Sequence, residues 1–499
     1  MAATVGKVWL VGAGPSDPGL ITVKGLNILK NANVVVYDKL VGTQILNLIP
    51  KSAHKIDVGK SPNNHPVPQS EINKILLEQA LLGNKVVRLK GGDSFLFGRG
   101  GEELELLAAH NIPFEVIPGV TSAISVPAYA GIPVTHRNFV SSLHIITGHA
   151  KAGKEPNIDF TALVNTGGTL VFLMGVAALQ NICNGLIQAG MPKNMPAAII
   201  ERGTTARQRK VVSTVSSLYE AAIEEHIQNP SIIVVGKVCT FSEQFEWVSG
   251  RPLHGKRVVV TRPEHLCSVL SEKIRSLGGE AIEFPCIKTQ ALADQKPFEK
   301  AMQEIRSYNW LVFTSAAGVE MLFEKLAETG RDIRELWGIK IAVIGSGTAK
   351  AFQKRGIRVD YMPTTYNITH LAQGLAERVK TEEKVLILRA LIGSKELNRI
   401  LLQASVNYND VPVYETVYNT EHCEFSQEVI QNGDFEYAAF TSASTVRGFV
   451  NALPDLVYSK IKAVCIGEET AAEAKKYGMQ IIVAKKATLD DLVEAMLAQ

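Results

Sequence analysis

Along the whole of a 499-residue chain, short apolar runs that stop on Gly, Asp or Ser alternate with stretches of helical periodicity. KVWLVGAG, NVVVYDKL, KVVRLKGGD, TLVFLMG, PAAIIERG and SIIVVGKV form one series, and RVVVTRP, WLVFTSA, IAVIGSG, KVLILRA, YAAFTSA and KAVCIGE a second. Runs so short and so apolar are strands covered on both faces, and the helices between them are the crossovers that parallel strands require. An α/β protein with largely parallel sheets is expected. Between the two series lies EWVSGRPLHGKR, residues 246 to 257, rich in turn formers and without periodicity, and the main boundary is placed there. At 46% hydrophobic residues the chain is too long for one core and fills roughly three or four.

The second series repeats itself. FTSAAGVEMLF at 313 matches FTSASTVRGFV at 440, and IAVIGSGTAKAFQKRGIRV at 341 matches KAVCIGEETAAEAKKYGMQI at 462. Each is a strand, a turn of Ser, Thr and Gly, then a helix, so this half is expected to be two related lobes with a ligand between them.

Charge is nearly balanced, 52 basic against 49 acidic residues, and gives no footprint for nucleic acid or an anionic membrane. Six scattered cysteines, Cys183, Cys239, Cys267, Cys286, Cys423 and Cys465, lack zinc-ligand spacing and are read as buried thiols of a reducing cytoplasm, with no metal. The N-terminus enters a strand directly, with no export signal. Thr161 to Pro192 carries no charge and is long enough to span a bilayer, but Asn165, Thr166, Gln180, Asn181, Asn184 and Gln188 interrupt it, which favours a buried strand plus helix.

VWLVGAGPSDPG, with Asp38 closing the next strand, invites a dinucleotide-binding reading. Pro15 and Pro18 have no N–H for a pyrophosphate, however, and Asp17 puts a negative charge where phosphates would sit. A nicotinamide dehydrogenase fits poorly. VGAGPSDPG, VVVYDKLV, VRLKGGDSFLFGRGGEE, PGVTSAISVPAYAGIPVTHR, VFLMG and ERGTTARQR, in that order over residues 4 to 247, resemble the tetrapyrrole methylases of the uroporphyrinogen-III C-methyltransferase type.

That resemblance implies a two-lobed α/β fold with S-adenosylmethionine held in its cleft. Gly91 and Gly92 would let the backbone approach the cofactor, and Asp93 would attract its cationic portion. Matching positions extend the cofactor contacts to Pro15, Leu96, Thr121, Ser122, Met174 and Gly203. A macrocycle carrying a carboxylate on every peripheral arm needs fixed cations, for which Arg99 and Arg137 are the candidates. Glu102 would orient Arg99 or accept from pyrrole N–H groups; an ordinary surface pair accounts for Arg99 and Glu102 equally well. By the same resemblance Asp38 is the proton acceptor and Lys60 the donor, against a solvated loop lysine as the alternative for Lys60. Ser16 stands where the family commonly has Gly, and Ser94 where it commonly has Pro. If position 16 requires a positive φ, Ser16 stores strain.

RVVVTRP, the two FTSA turns, VPVYETV and IGEETAAEAKKYG resemble, over residues 255 to 499, uroporphyrinogen-III synthase. Two α/β lobes are implied, one inserted in the other. Thr314, Ser315, Thr441, Ser442 and Thr470 would grip substrate carboxylates without rigid charge, and Tyr414 would assist departure of the hydroxyl. The FTSA turns also suit helix capping, and Tyr414 also suits a strand covering the hinge.

The expected division is 1–247 for the methyltransferase, with lobes about 1–137 and 138–247, a linker at 248–256, and 257–499 for the synthase, with lobe one 257–287 plus 417–499 and an inserted lobe 288–416. The implied activity is cyclisation of hydroxymethylbilane with ring D inverted, then methylation at C2 and C7 to precorrin-2, whose destination, cobalamin, sirohaem or haem d1, the sequence leaves open. A second half that binds tetrapyrrole without catalysis is the alternative. Implied partners are small tetrapyrroles and a second copy of the chain through the methyltransferase half, with no nucleic acid or membrane, in the cytoplasm.

Overall fold

A computed structural model describes residues 5–38, 40–59, 67–148, 158–421 and 424–498. They fall into two compact units. One runs to Phe284 and resumes at Glu421, and the other is Pro285–Thr420.

The first sheet comprises β1 (Lys7–Gly12), β2 (Val34–Tyr37), β3 (His54–Asp57), β4 (Lys85–Lys90) and β5 (Phe114–Ile117), all parallel, in the order β3-β2-β4-β1-β5. Both faces are covered, as alternate side chains show. Val11, Val35, Val87 and Leu89 join one core, while Leu10, Val34, Val36 and Val86 join the other. Every glycine or acidic turn singled out in this region follows a strand of this sheet, so those turns share its carboxyl edge.

The second sheet contains β6 (Leu143–Thr147), β7 (Thr169–Leu173), β8 (Pro196–Glu201), β9 (Arg209–Thr214) and β10 (Ser231–Val235) in the order β6-β7-β10-β8-β9. Only β6 with β7 is parallel, and the other three pairings are antiparallel, which corrects the expectation of largely parallel sheets for this lobe. The link from Glu201 to Arg209 is too short for a crossover, so β8 and β9 can only run antiparallel. The uncharged stretch from Thr161 resolves into the helix Phe160–Thr166, β7 and the helix Leu179–Gln188. No helix among the described residues is long and apolar enough to cross a membrane.

A third sheet opens with β11 (Arg257–Val260) and β12 (Glu280–Glu283). The chain then leaves for the second unit, whose sheet holds β13 (Ile287–Ala291), β14 (Trp310–Phe313), β15 (Lys340–Val343), β16 (Lys384–Ala390) and β17 (Asn407–Tyr418) in the order β13-β17-β16-β14-β15. On return, β18 (Tyr437–Phe440), β19 (Lys462–Cys465) and β20 (Gln480–Val483) complete the third sheet, order β12-β11-β18-β19-β20, parallel throughout. Cys183, Cys239, Cys267, Cys286 and Cys465 are buried; Cys423 lies outside the described residues.

Candidate functional site

Three loops at the carboxyl edge of the first sheet interlock through glycines. Gly14 and Gly92 exchange backbone hydrogen bonds of 3.1 and 2.8 Å, and Ala13 N–H donates to the Lys90 carbonyl at 2.7 Å. A Cβ on Gly119 would lie 2.2 Å from the Gly92 oxygen, and one on Gly12 2.5 Å from Gly119 Cα, so side chains are excluded there. Gly92 itself, at φ +66°, is different, because its Cβ would meet only Ser122 N at 3.8 Å and Thr121 Cα at 4.0 Å. That leaves bare backbone facing the start of the helix Ser122–Tyr129, whose N-cap is Thr121.

Asp93 ties these loops together. Its Oδ1 accepts from Phe95 N (2.8 Å) and Leu96 N (3.1 Å), and Oδ2 from Gly119 N (2.9 Å). Three N–H dipoles therefore compensate much of the charge expected to draw a cation. Leu96 packs into the core beside Ala123, Val126 and Leu173, the neighbour of Met174. Gly203 lies against Val126 of the same helix, and Thr204 Oγ1 donates to the Pro15 carbonyl at 2.8 Å. Pro15, Gly91, Gly92, Asp93, Leu96, Thr121, Ser122, Met174 and Gly203 thus lie along one connected set of loops.

Backbone strain marks the same loops. Of nine non-glycine residues with positive φ among the described residues, Ser16, Phe97, Arg99, Met174, Arg202 and Thr204 belong to these motifs. Conformations of this kind cost roughly 1–3 kcal/mol each and cluster at functional sites. Ser16, at φ +120°, meets the condition under which strain was expected, and Ser94 is wholly buried. Asp17 holds Gly19 N and accepts from the Tyr129 hydroxyl, both at 2.7 Å, fixing a negative charge in the first turn where a pyrophosphate would need donors.

A buried charge cluster underlies this edge. Arg88 and Lys90 of β4 point to one face, where Glu103 Oε1 accepts from Arg88 Nε at 3.1 Å and from Lys90 Nζ at 2.7 Å. Arg88 Nη2 also reaches Asp38 Oδ2 at 3.3 Å. Burial, then the neighbouring Arg88, push the Lys90 ammonium below its usual range, against the pull of Glu103 and Asp38. Asp38 Oδ1 is buried and has no hydrogen-bond partner among the described residues, so it is free to accept from a ligand. Arg88, Lys90 and Glu103 were missed from sequence, although two charges at alternate positions of a central apolar strand are a legible signal of a buried network. Lys60 lies outside the described residues.

Arg99 caps the helix Gly100–Ala109 and chelates Glu102, Nε to Oε1 at 3.0 Å and Nη2 to Oε2 at 2.5 Å, on the surface. Arg137 is exposed, with no carboxylate partner among the described residues, next to a cluster in which the His136 ring packs at a tilt against Phe139 and Phe241.

In the unit Pro285–Thr420, the turn after β14 brings Ser315 Oγ to 2.7 Å from the Tyr414 hydroxyl of β17. Ser315 also caps the following helix at Gly318 N, 3.1 Å, and Tyr414 is almost wholly buried. Burial raises the Tyr414 phenol above its ordinary value, and the Ser315 hydrogen bond pulls the other way. Thr314 lines an open concavity with Arg389, Gly393 and Ser394. In the other unit, Ser442 caps the helix Ala443–Ala452 at Thr445 N and contacts Ser444 Oγ at 2.8 Å, with Thr441 just before it; Thr470 is buried in the first turn of the helix Glu468–Lys475.

Two family models match the chain. One, described as Tetrapyrrole (Corrin/Porphyrin) Methylases, covers residues 7–219, and the other, Uroporphyrinogen-III synthase HemD, covers residues 268–494. A porphyrin biosynthesis protein HemD of Ruminiclostridium josui is 49% identical over 492 residues, 99% of this chain and 98% of that protein. A uroporphyrinogen-III C-methyltransferase of Bacillus subtilis (strain 168) is 35% identical over 474 residues, 94% of this chain and 93% of that one. Among solved structures, a uroporphyrin-III C-methyltransferase of Thermus thermophilus complexed with S-adenyl homocysteine is 38% identical, covering 47% of this chain and 99% of its own, at a TM-score of 0.42. The chain therefore belongs to the family of these full-length relatives, joining a tetrapyrrole methylase to a uroporphyrinogen-III synthase of the HemD type in one polypeptide.

Proposed function

We propose that the chain cyclises hydroxymethylbilane to uroporphyrinogen III in its second half and methylates the product at C2 and C7 in its first, giving precorrin-2. The observation that carries the reading is that strained, glycine-lined loops and the half-buried Asp38, whose Oδ1 is buried without a partner among the described residues, share the carboxyl edge of one parallel sheet. S-adenosylmethionine fits those loops, because Gly92 leaves bare backbone where a side chain would have room, and Met174, half exposed, offers apolar surface. When bound, it supplies a methyl group already activated by its sulfonium.

The protein's own part is alignment and proton handling. Asp38 accepts the pyrrole proton at Oδ1, while Arg88 holds Oδ2 and fixes the carboxylate's orientation. Arg99 and Arg137 bind substrate carboxylates, Glu102 orients Arg99, and Lys60 returns a proton. In the synthase half the hydroxyls of Thr314, Ser315, Thr441, Ser442 and Thr470 bind the acidic arms, and the Tyr414 phenol, kept protonated by burial, donates to the departing hydroxyl. We assign the methyltransferase to 1–247 and the synthase to 257–499. The protein acts in the cytoplasm as a homodimer through its methyltransferase half, with neither nucleic acid nor membrane as partner.

Hydroxymethylbilane given to the full chain without a methyl donor tests the synthase step. The type III isomer in excess supports it, and type I alone, with the synthase half folded, leaves only tetrapyrrole binding. Heat of binding with S-adenosylhomocysteine tests the other half.

A further inference from the structure

Two arginines of the second half occupy equivalent places in its repeat. Val260 of β11 pairs with Ala439 of β18, and continuing that register sets Arg262 level with Thr441. Phe313 of β14 pairs with Leu388 of β16, and the next step sets Thr314 level with Arg389. In both sheets this is the strand pair at which chain order reverses. β11 has its successor β12 on one side and β18 on the other, and β14 has its successor β15 on one side and β16 on the other. Such a switch point opens a crevice beyond the carboxyl ends of the strands, where open α/β sheets take their ligands.

What holds each guanidinium differs. Arg389 is clamped by Asp410, Nε to Oδ1 at 2.7 Å and Nη2 to Oδ2 at 2.6 Å, so its charge is compensated. Arg262 has no carboxylate at ion-pair distance among the described residues. Its Nη1 donates to the Leu266 carbonyl at 3.2 Å, and its Nε is buried without an acceptor. Burial lowers its pKa. A guanidinium partly withdrawn from water, with its Nε buried and no anion beside it, is a net cost to the fold, and a bound carboxylate lowers that cost.

We propose that Arg262 is a carboxylate-binding residue of the synthase half, gripping one acidic arm of the tetrapyrrole in the crevice between β11 and β18 with the Thr441 hydroxyl beside it. The assignment rests on the synthase reading above. It also changes that reading, since the turn hydroxyls then work beside a fixed cation. Arg389, neutralised by Asp410, is the internal control.

The experiment uses the full chain, with Arg262→Gln, Arg262→Lys and Arg389→Gln, and measures KM, kcat and isomer ratio with hydroxymethylbilane together with thermal unfolding. Arg262→Gln is expected to raise KM about tenfold or more, the loss of a charge-assisted hydrogen bond, with kcat little changed. Its unfolding temperature should be kept or raised, because an uncompensated, partly buried charge is removed. Arg262→Lys should recover part of the KM loss. A wild-type KM in Arg262→Gln while the wild type makes type III product overturns the Arg262 assignment alone. A lowered unfolding temperature with unchanged KM makes Arg262 a structural residue and also overturns it. Type I product alone from the wild type overturns the synthase reading, and this assignment with it.

Discussion

Arg207 and Asp434, 227 residues apart in sequence, are joined at 3.1 and 2.7 Å from Nε and Nη2 to one carboxylate oxygen. The same guanidinium reaches Glu436 at 2.8 Å and the Gly255 carbonyl at 2.9 Å, and Ala206 N–H donates to Glu280 at 3.3 Å. Arg207 sits in the turn between β8 and β9, whose Thr204 holds the Pro15 carbonyl. One end of this turn is thereby tied to the first glycine loop and the other to the synthase lobe of the same unit. Arg207→Ala is expected to cost about 1 kcal/mol, since both partners are partly exposed and screened by water. It should also weaken S-adenosylhomocysteine binding a few-fold without changing the isomer ratio. Thermal unfolding and titration calorimetry check both.

Glu103 is wholly buried between Arg88 and Lys90. Glu103→Ala would leave two cations in the core of the first sheet. The expected loss is about 3–5 kcal/mol, the penalty for stranding a buried charge, read as a shift of the urea unfolding midpoint.

Tyr414 and Ser315 share a 2.7 Å hydrogen bond. Tyr414→Phe keeps the ring and removes the proton donor, so kcat for cyclisation should fall about a hundredfold or more. Because burial raises the phenol's pKa, the donor form persists to more alkaline pH than in an ordinary tyrosine and is lost as pH rises through the raised value. The alkaline limb of the wild-type pH–rate profile should vanish in the variant.

Glu246 is the residue whose acid titration should be visible. Burial alone would raise its carboxyl, but the Lys210 ammonium and the N–H and hydroxyl of Ser249 bring it from an ordinary 4.5 down to about 2. A folded pKa below the unfolded one gives stability that is fully present above about 4.5 and lost as pH falls toward 2. Glu246→Gln should flatten the unfolding temperature against pH across that window, and Lys210→Met should do the same.

The α/β architecture was legible because a short apolar run records burial on two faces, as Leu10 and Val11 show by entering opposite cores. Strand direction was not, since burial looks the same either way, and the antiparallel β8–β9 pair betrays itself only by its short link. Ser16 was legible as a glycine-like position, and its φ of +120° follows. Arg88, Lys90 and Glu103 escaped because the strand motif was read for its glycines, and Arg262 because it stood inside a motif used only for recognition. The Arg207 contacts had no local signal, because partners so distant in sequence leave no mark on composition or periodicity.

The most direct test is a single incubation of the full chain with hydroxymethylbilane and S-adenosylmethionine, with the products resolved by isomer and by mass. The account predicts a type III macrocycle carrying two added methyl groups. An unmethylated product, or a type I macrocycle alone, would contradict it.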